Sequence, residues 1–160
     1  MTIRPGALDD IPAVLPLVAR TIAFHQELDR ARFSAVPNAH QRYDAWLRRT
    51  VENPDGAFFV AEEEGRLVGF VLGQVQEEYA LYTTGRYGML HELWVEPEWR
   101  RQGIARQLMQ AALDLFRQVG VHQARLDSAT ANVDAQRLFA VCGFRPSMTE
   151  MLAELELPTG

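Results

Sequence analysis

Cysteine is nearly missing: Cys142 is the only one in 160 residues. That excludes an intramolecular disulfide and suits a reducing compartment. No apolar run reaches the ~20 residues that a membrane span needs. The opening MTIRPGALDD has neither a basic start nor an apolar core, so no signal peptide is expected. Positive charge is in deficit, with 16 Lys and Arg against 21 Asp and Glu and a formal net charge of −5. The isoelectric point near 5.4 gives no basic footprint for nucleic acid and weakly favours a cationic partner. There is no HExxH or CxxC, and the four histidines lack metal-ligand spacing, so no metal is implied. Repeats, low-complexity tracts and a linker are absent too. What remains is ordinary for a globular chain, 48% hydrophobic and 23% charged. The length allows one core that buries about 70% of the unfolded surface. The expectation is a soluble cytoplasmic protein with one domain over residues 1–160.

Along the chain, Thr2 to Arg4 reads as a short edge strand stopped by Pro5-Gly6. From Leu8 to about Leu28, Ile11, Val14, Leu15, Val18 and Ile22 recur at helical spacing, with Asp9 or Asp10 as the cap. Residues 29–38 break the pattern and predict a mobile loop. A second helix, roughly Ala39 to Glu52, gathers Tyr43, Trp46, Leu47 and Val51 on one side. After the turn at 53–56, two β-rich stretches, 57–63 and 66–76, form a hairpin through Gly65. Residues 77–86 are irregular and 87–95 are a strand. A helix from about Gln102 to Val119 carries an apolar stripe at Ile104, Leu108, Ala112, Leu115 and Val119, and Gly120 caps it. A strand at 121–129 follows. Asn132 caps a short helix with Ala135, Leu138, Phe139 and Cys142 inward, and residues 149–157 close as a strand. This order predicts an α/β fold with a mixed, mostly antiparallel central sheet of six to seven strands flanked by about four helices.

One feature works against local physics. Arg100, Arg101 and Arg106 crowd the start of the long helix, where unpaired amides carry partial positive charge and each cation costs about 0.3–1 kcal/mol. An anion over the amides of 101–106 would reverse the sign, with guanidinium groups closing from the sides and Gly103 leaving room for close approach. The alternative is a solvated turn in which Glu96 and Glu98 pair with the arginines. Walker-type and Rossmann phosphate loops are both missing, since no Lys-Ser/Thr follows Gly103 and GxGxxG is absent.

The residues at 100–105, RRQGIA, resemble the [RQ]-x-x-G-x-[GA] signature of the GNAT superfamily of acyl-CoA-dependent N-acetyltransferases. The flanks ELWVEPEWRRQGIARQLM look like its strand, pyrophosphate loop and helix. About 30 residues on, NVDAQRLFAVCGF resembles its second signature, and the element order matches over essentially the whole chain. The resemblance implies the GNAT fold and acetyl-CoA as cosubstrate. It implies that Arg100, Arg101, Gln102, Gly103, Ile104, Ala105 and Arg106 hold the coenzyme A pyrophosphate, mainly through backbone amides. Leu93, Trp94 and Val95 would hold the pantetheine arm and thioester carbonyl through their backbone. A β-bulge in that strand would splay it from 121–129 and admit the coenzyme between them. Asn132 would touch the pantetheine arm as well as capping its helix.

Acyl transfer needs a neutral amine, and amines with pKa near 8 to 10.4 call for a base or a desolvating pocket. Glu92 is the candidate base, since related enzymes often place a carboxylate there; as a plain residue it could equally pair with an arginine on the rim. Strict alternation puts Glu92 and Trp94 on one face and His91 and Leu93 on the other, which separates His91 from Glu92. Phe139 departs from the family pattern, where a tyrosine often protonates the leaving thiolate. Tyr79, Tyr82 and Tyr87 are possible substitutes, read otherwise as loop or core aromatics. Cys142 reads as core packing. Glu77, Glu78 and Glu92 could attract a cationic amine.

The reading is an acetyl-CoA-dependent N-acetyltransferase that acts on a primary amine, of a small molecule or a protein, by direct attack in a ternary complex. It invokes no nucleic acid and no membrane, and is compatible with a homodimer. The competing reading is a catalytically degenerate acyl-CoA-binding sensor or regulatory module, suggested by Phe139.

Overall fold

The near-unbroken apolar run RLVGFVLG marks a strand covered on both faces, and it is the middle strand of the sheet. The computed structural model describes residues 1–156. Its strands β1 (Thr2–Pro5), β2 (Gly56–Glu63), β3 (Arg66–Glu77), β4 (Arg86–Val95) and β5 (Ala124–Leu126) lie side by side in chain order. The first four are antiparallel and β5 runs parallel to β4. Helix α1 (Ile11–Leu28), the one-turn α2 (Arg30–Phe33) and α3 (Ala39–Glu52) precede β2; α4 (Ile104–Gln118) and α5 (Val133–Val141) flank β5 in sequence.

Helices cover both faces of the sheet. Ile11, Val14 and Val18 of α1 and Leu47 of α3 pack on Phe58, Val60, Phe70, Leu72 and Trp94. On the other face Ile104, Leu108, Met109, Ala112 and Phe116 of α4 pack on Ala57, Ala61, Val71, Leu90 and Val95. The α4 stripe thus follows the helical period, with Leu115 and Val119 at its partly buried margin. Gly88 is required by this packing, because a Cβ there would run into the Phe116 ring. No helix among the described residues is long and apolar enough to cross a membrane.

Some expectations need correction. Among the described residues the sheet has five strands, not six to seven, and α2 adds a fifth helix to the four expected. Residues 149–156 form no strand and are exposed, with Met151 91% and Leu155 84% accessible; Leu157 lies outside the described residues. Alternating pattern alone does not hold a strand without a partner, and β5, three residues long instead of nine, offers almost no edge. Part of the loop at 29–38 is helical: the Asp29 side chain accepts from the Arg32 amide at 3.2 Å and caps α2. Finally, α4 starts at Ile104, not Gln102, because Gly103 before it is left-handed at φ +79°.

Candidate active site

The site is made where β4 and β5 part. They pair only over Gly88–Ala124, Met89–Arg125 and Leu90–Leu126, and beyond Leu90 the two strands are no longer paired. Against β3, Leu72 faces Glu92 while Gly73 faces Leu90, so His91 is the extra residue of a β-bulge. The expected bulge therefore exists, immediately before Glu92. A cleft of about 520 Å³ opens there, lined by the end of β4, the start of α4, residues 126–129 and one side of α5.

The bulge overturns the alternation argument for His91. Glu92 accepts a hydrogen bond from the Tyr43 hydroxyl on α3, and the His91 ring lies 5.0 Å from that of Trp46, one turn further along the same helix. Both residues therefore face α3. An inserted residue shifts the two-residue period by one, so the separation inferred from strict alternation fails. Burial pushes the Glu92 carboxyl above its usual range, against the opposing effects of the Tyr43 hydrogen bond and His25. Burial also raises the Tyr43 phenol, with the Glu92 charge adding to it, so the phenol stays protonated. The His91 ring is pushed down by burial, with Asp127 opposing, which favours the neutral form. Gln76 spends its carbonyl on the Tyr87 hydroxyl at 2.9 Å and turns its amide towards His91 Nε2 at 3.4 Å.

The turn before α4 is not a solvated salt-bridge cluster. Glu96 is buried, pairs with Arg20 of α1 and accepts from Trp94 Nε1 at 3.0 Å. Glu98 goes to Arg66 at 3.1 Å. Neither reaches the loop arginines. Arg100 donates through Nε to the Val95 carbonyl at 2.9 Å, and its guanidinium lies over the Trp94 indole at 4.7 Å. That side chain braces the end of β4. Arg101 is 85% exposed, at φ +62°, with Asp134 of α5 3.6 Å away. Gly103 brings no side chain as a cap, so the opening amides of α4 lack one. The nearest protein atom to a Cβ placed on Gly103 is Gln107 Nε2 at 4.0 Å. Left-handed backbone, not crowding by the protein, makes glycine the fitting residue.

Every residue expected to bind the coenzyme lines this cleft except Gln102, which stands exposed in the same turn. Asn132 caps α5 by accepting from the Ala135 amide at 3.2 Å. Phe139 presents its ring beside Phe144, centroids 6.3 Å apart. Tyr79 and Tyr82 are exposed and do not line the cleft, nor does Tyr87, whose hydroxyl donates to Gln76. Cys142 is partly buried and burial pushes its thiol up, which suits packing. Glu78 is tied to Arg125.

The cleft suits coenzyme A on independent grounds. Two buried polar atoms on its wall, Trp99 Nε1 and Ser128 Oγ, have no hydrogen-bond partner among the described residues. Buried polar groups are otherwise almost always paired. Both can donate, and the coenzyme's phosphates and amide carbonyls are acceptors. Sequence reasoning missed these two, together with Tyr43, Phe24 and His25. Tyr43 and Trp46 sit three apart on a recognisable helix, but that spacing also describes ordinary core, and only the tertiary contact with Glu92 separates the cases.

A family model described as "Acetyltransferase (GNAT) family" matches residues 21–144. The uncharacterized N-acetyltransferase YhfO of Bacillus subtilis is 26% identical over 144 residues, covering 90% of this chain and 89% of that protein. A mycothiol acetyltransferase of Thermobispora bispora is 34% identical over 143 residues, 89% of this chain. The chain spans only 45% of that relative. Among solved structures, the BH1408 protein from Bacillus halodurans superposes with a TM-score of 0.83 at 19% identity, covering 98% of this chain and 100% of that one. The aminoglycoside N-acetyltransferase AAC(6')-Iy in complex with CoA gives 0.74 at 16% identity, with the same coverage. At such identities the structures attest the fold alone. Family model, signatures and fold agree: the chain belongs to the GNAT acetyltransferase family and is an acetyl-CoA-dependent N-acetyltransferase.

Proposed function

We propose that residues 1–160 form one N-acetyltransferase domain that acetylates a primary amine by direct attack, both substrates being bound together. The observation that carries this reading is the half-buried Glu92 carboxylate, hydrogen-bonded to Tyr43, on the wall of the same cleft as the uncapped amides of α4. Acetyl-CoA supplies the acetyl group as a thioester. The amides from Arg101 to Arg106 hold the pyrophosphate at the helix start, where the dipole favours negative charge. The backbone of Leu93, Trp94 and Val95 holds the pantetheine arm and thioester carbonyl, and Asn132 and Phe139 flank it from α5. Glu92 takes the proton from the amine nitrogen. Its raised pKa brings it nearer to neutral pH, where a base is most effective. As the bond from nitrogen to the acetyl carbon forms, the carbon–sulfur bond breaks and the thiol leaves as thiolate. A thiol with pKa near 8.5, the cysteine value, needs little help in leaving, so Phe139 does not argue for a degenerate module.

Gly103→Glu tests the assignment. It places bulk and negative charge where the anion sits, so coenzyme A affinity measured by calorimetry falls at least tenfold while the circular dichroism spectrum keeps its shape. Unchanged affinity removes the loop from the binding site.

A further inference from the structure

Away from α4 and α5 the cleft is lined by the rings of Phe24, His25, His91 and Trp94, and three more rings back these four. On one side, Phe24 lies edge-on to Trp94 at 5.9 Å and to His25 at 5.7 Å. Phe33 of α2 continues that file 5.1 Å from His25. On the other side, Tyr43, Trp46 and His91 form a second file with centroids 5.5 and 5.0 Å apart. Glu92 ties the two files together. It follows His91 in the bulge, bonds Tyr43 of the second file, and lies within the field of His25 in the first.

Other carboxylates on this side are already neutralised: Glu78 by Arg125, Glu150 by Arg32 and Asp44 by Arg48. Asp127 stands exposed on the cleft rim without an ion pair among the described residues. The inner wall therefore offers one carboxylate set among rings. Ring faces attract a cation and also cover an apolar body, and a single half-buried carboxylate matches one ammonium. A molecule with three or more ammonium groups would leave most of its charge against aromatic surface and solvent.

We infer that the acceptor is a primary amine carried on a flat aromatic body, held as a monocation between the two files with its nitrogen at Glu92. This rests on the acetyl-transfer reading above. Ring and carboxylate divide the work: the files select the body, and Glu92 fixes the end that reacts.

The test measures coenzyme A binding by calorimetry. It then follows thiol release from acetyl-CoA with 2-phenylethylamine, propylamine, spermidine and kanamycin. The expected result is a kcat/KM for 2-phenylethylamine at least tenfold above each of the others. Phe24→Leu removes a ring face that lines the cleft, and Trp46→Leu removes the ring that backs His91, each keeping apolar volume. Each should raise KM for 2-phenylethylamine at least fivefold while coenzyme affinity and KM for propylamine stay within twofold, which a general loss of fold would not do. Preference for spermidine or kanamycin, or coenzyme binding without turnover of any of the four, overturns the inferred acceptor and leaves the coenzyme site standing. Absence of coenzyme binding overturns the acetyl-transfer reading, and the acceptor with it.

Discussion

Tyr43→Phe isolates the group that sequence reasoning overlooked. In the native site its hydroxyl donates to Glu92, which favours the ionised carboxylate against the burial that disfavours it. A hydrogen bond to a charged group contributes about 1.5–3 kcal/mol, and one pKa unit is 1.36 kcal/mol. Losing it should therefore raise the Glu92 pKa further, lowering the ionised fraction at acid pH by about ten- to a hundredfold. If Glu92 works as the ionised base, the variant needs a higher pH to reach the same ionised fraction. The assay is kcat/KM by thiol release at intervals from pH 5 to 9.5, expressed as the ratio of variant to wild type so that ionisation of the amine cancels. The ratio should be depressed at the acid end and recover towards one as pH rises through the shifted pKa. A flat ratio, or recovery towards acid pH, would refute the reasoning, because neither fits a base whose ionised form Tyr43 stabilises.

Glu92→Gln should lower turnover more at pH 7 than at pH 9, where free amine is abundant, and equal losses would remove Glu92 as the base. The same variant should melt higher than wild type at pH 8. A carboxyl whose folded pKa is raised contributes stability below its unfolded pKa of about 4.3 and loses it as pH rises through the folded value; a Tm difference that persists unchanged at pH 4 would contradict that sign. Phe139→Tyr should leave turnover unchanged or reduce it, and a rise above about tenfold at unchanged coenzyme affinity would mark Phe139 as a weakened catalyst. Gly88→Ala should cost about 1–3 kcal/mol by overpacking against Phe116, roughly 2–12 °C in Tm, and a calorimetric scan with no shift would show that the α4 face yields freely.

The parts of the fold legible in the sequence were those with strong local periodicity. The α4 stripe, the β2–β3 hairpin and the Asn132 cap all lie where spacing placed them, because helical and strand periods and turn chemistry are local properties. The α4 wall of the cleft was legible for the same reason: its loop is a contiguous stretch whose arginines conflict with the helix dipole. The opposite wall was not. Tyr43 reaches Glu92 across 49 residues of chain, and Phe24 reaches Trp94 only once α1 is laid on the sheet. His91 was misplaced because a bulge depends on how two strands pair, which neither strand's alternation encodes. The strand at 149–156 failed in the opposite way, with a pattern present and no partner edge to realise it.

The short pairing of β4 with β5 also bears on how long the molecule lasts. Three residue pairs join β5 to the sheet, and α5 has no fully buried side chain. The segment after α4 is therefore poorly anchored, the kind of region that opens before the rest of a protein unfolds. On the proposed site, a coenzyme seated between the parted strands and α5 would take the place of the pairing they lack. At a hundred times its dissociation constant, a ligand that binds only the closed form stabilises it by about 2.7 kcal/mol, close to a hundredfold in the open population. Exposure of this end of the chain to proteases would then follow the supply of acetyl-CoA, tying the protein's lifetime to the metabolite it consumes.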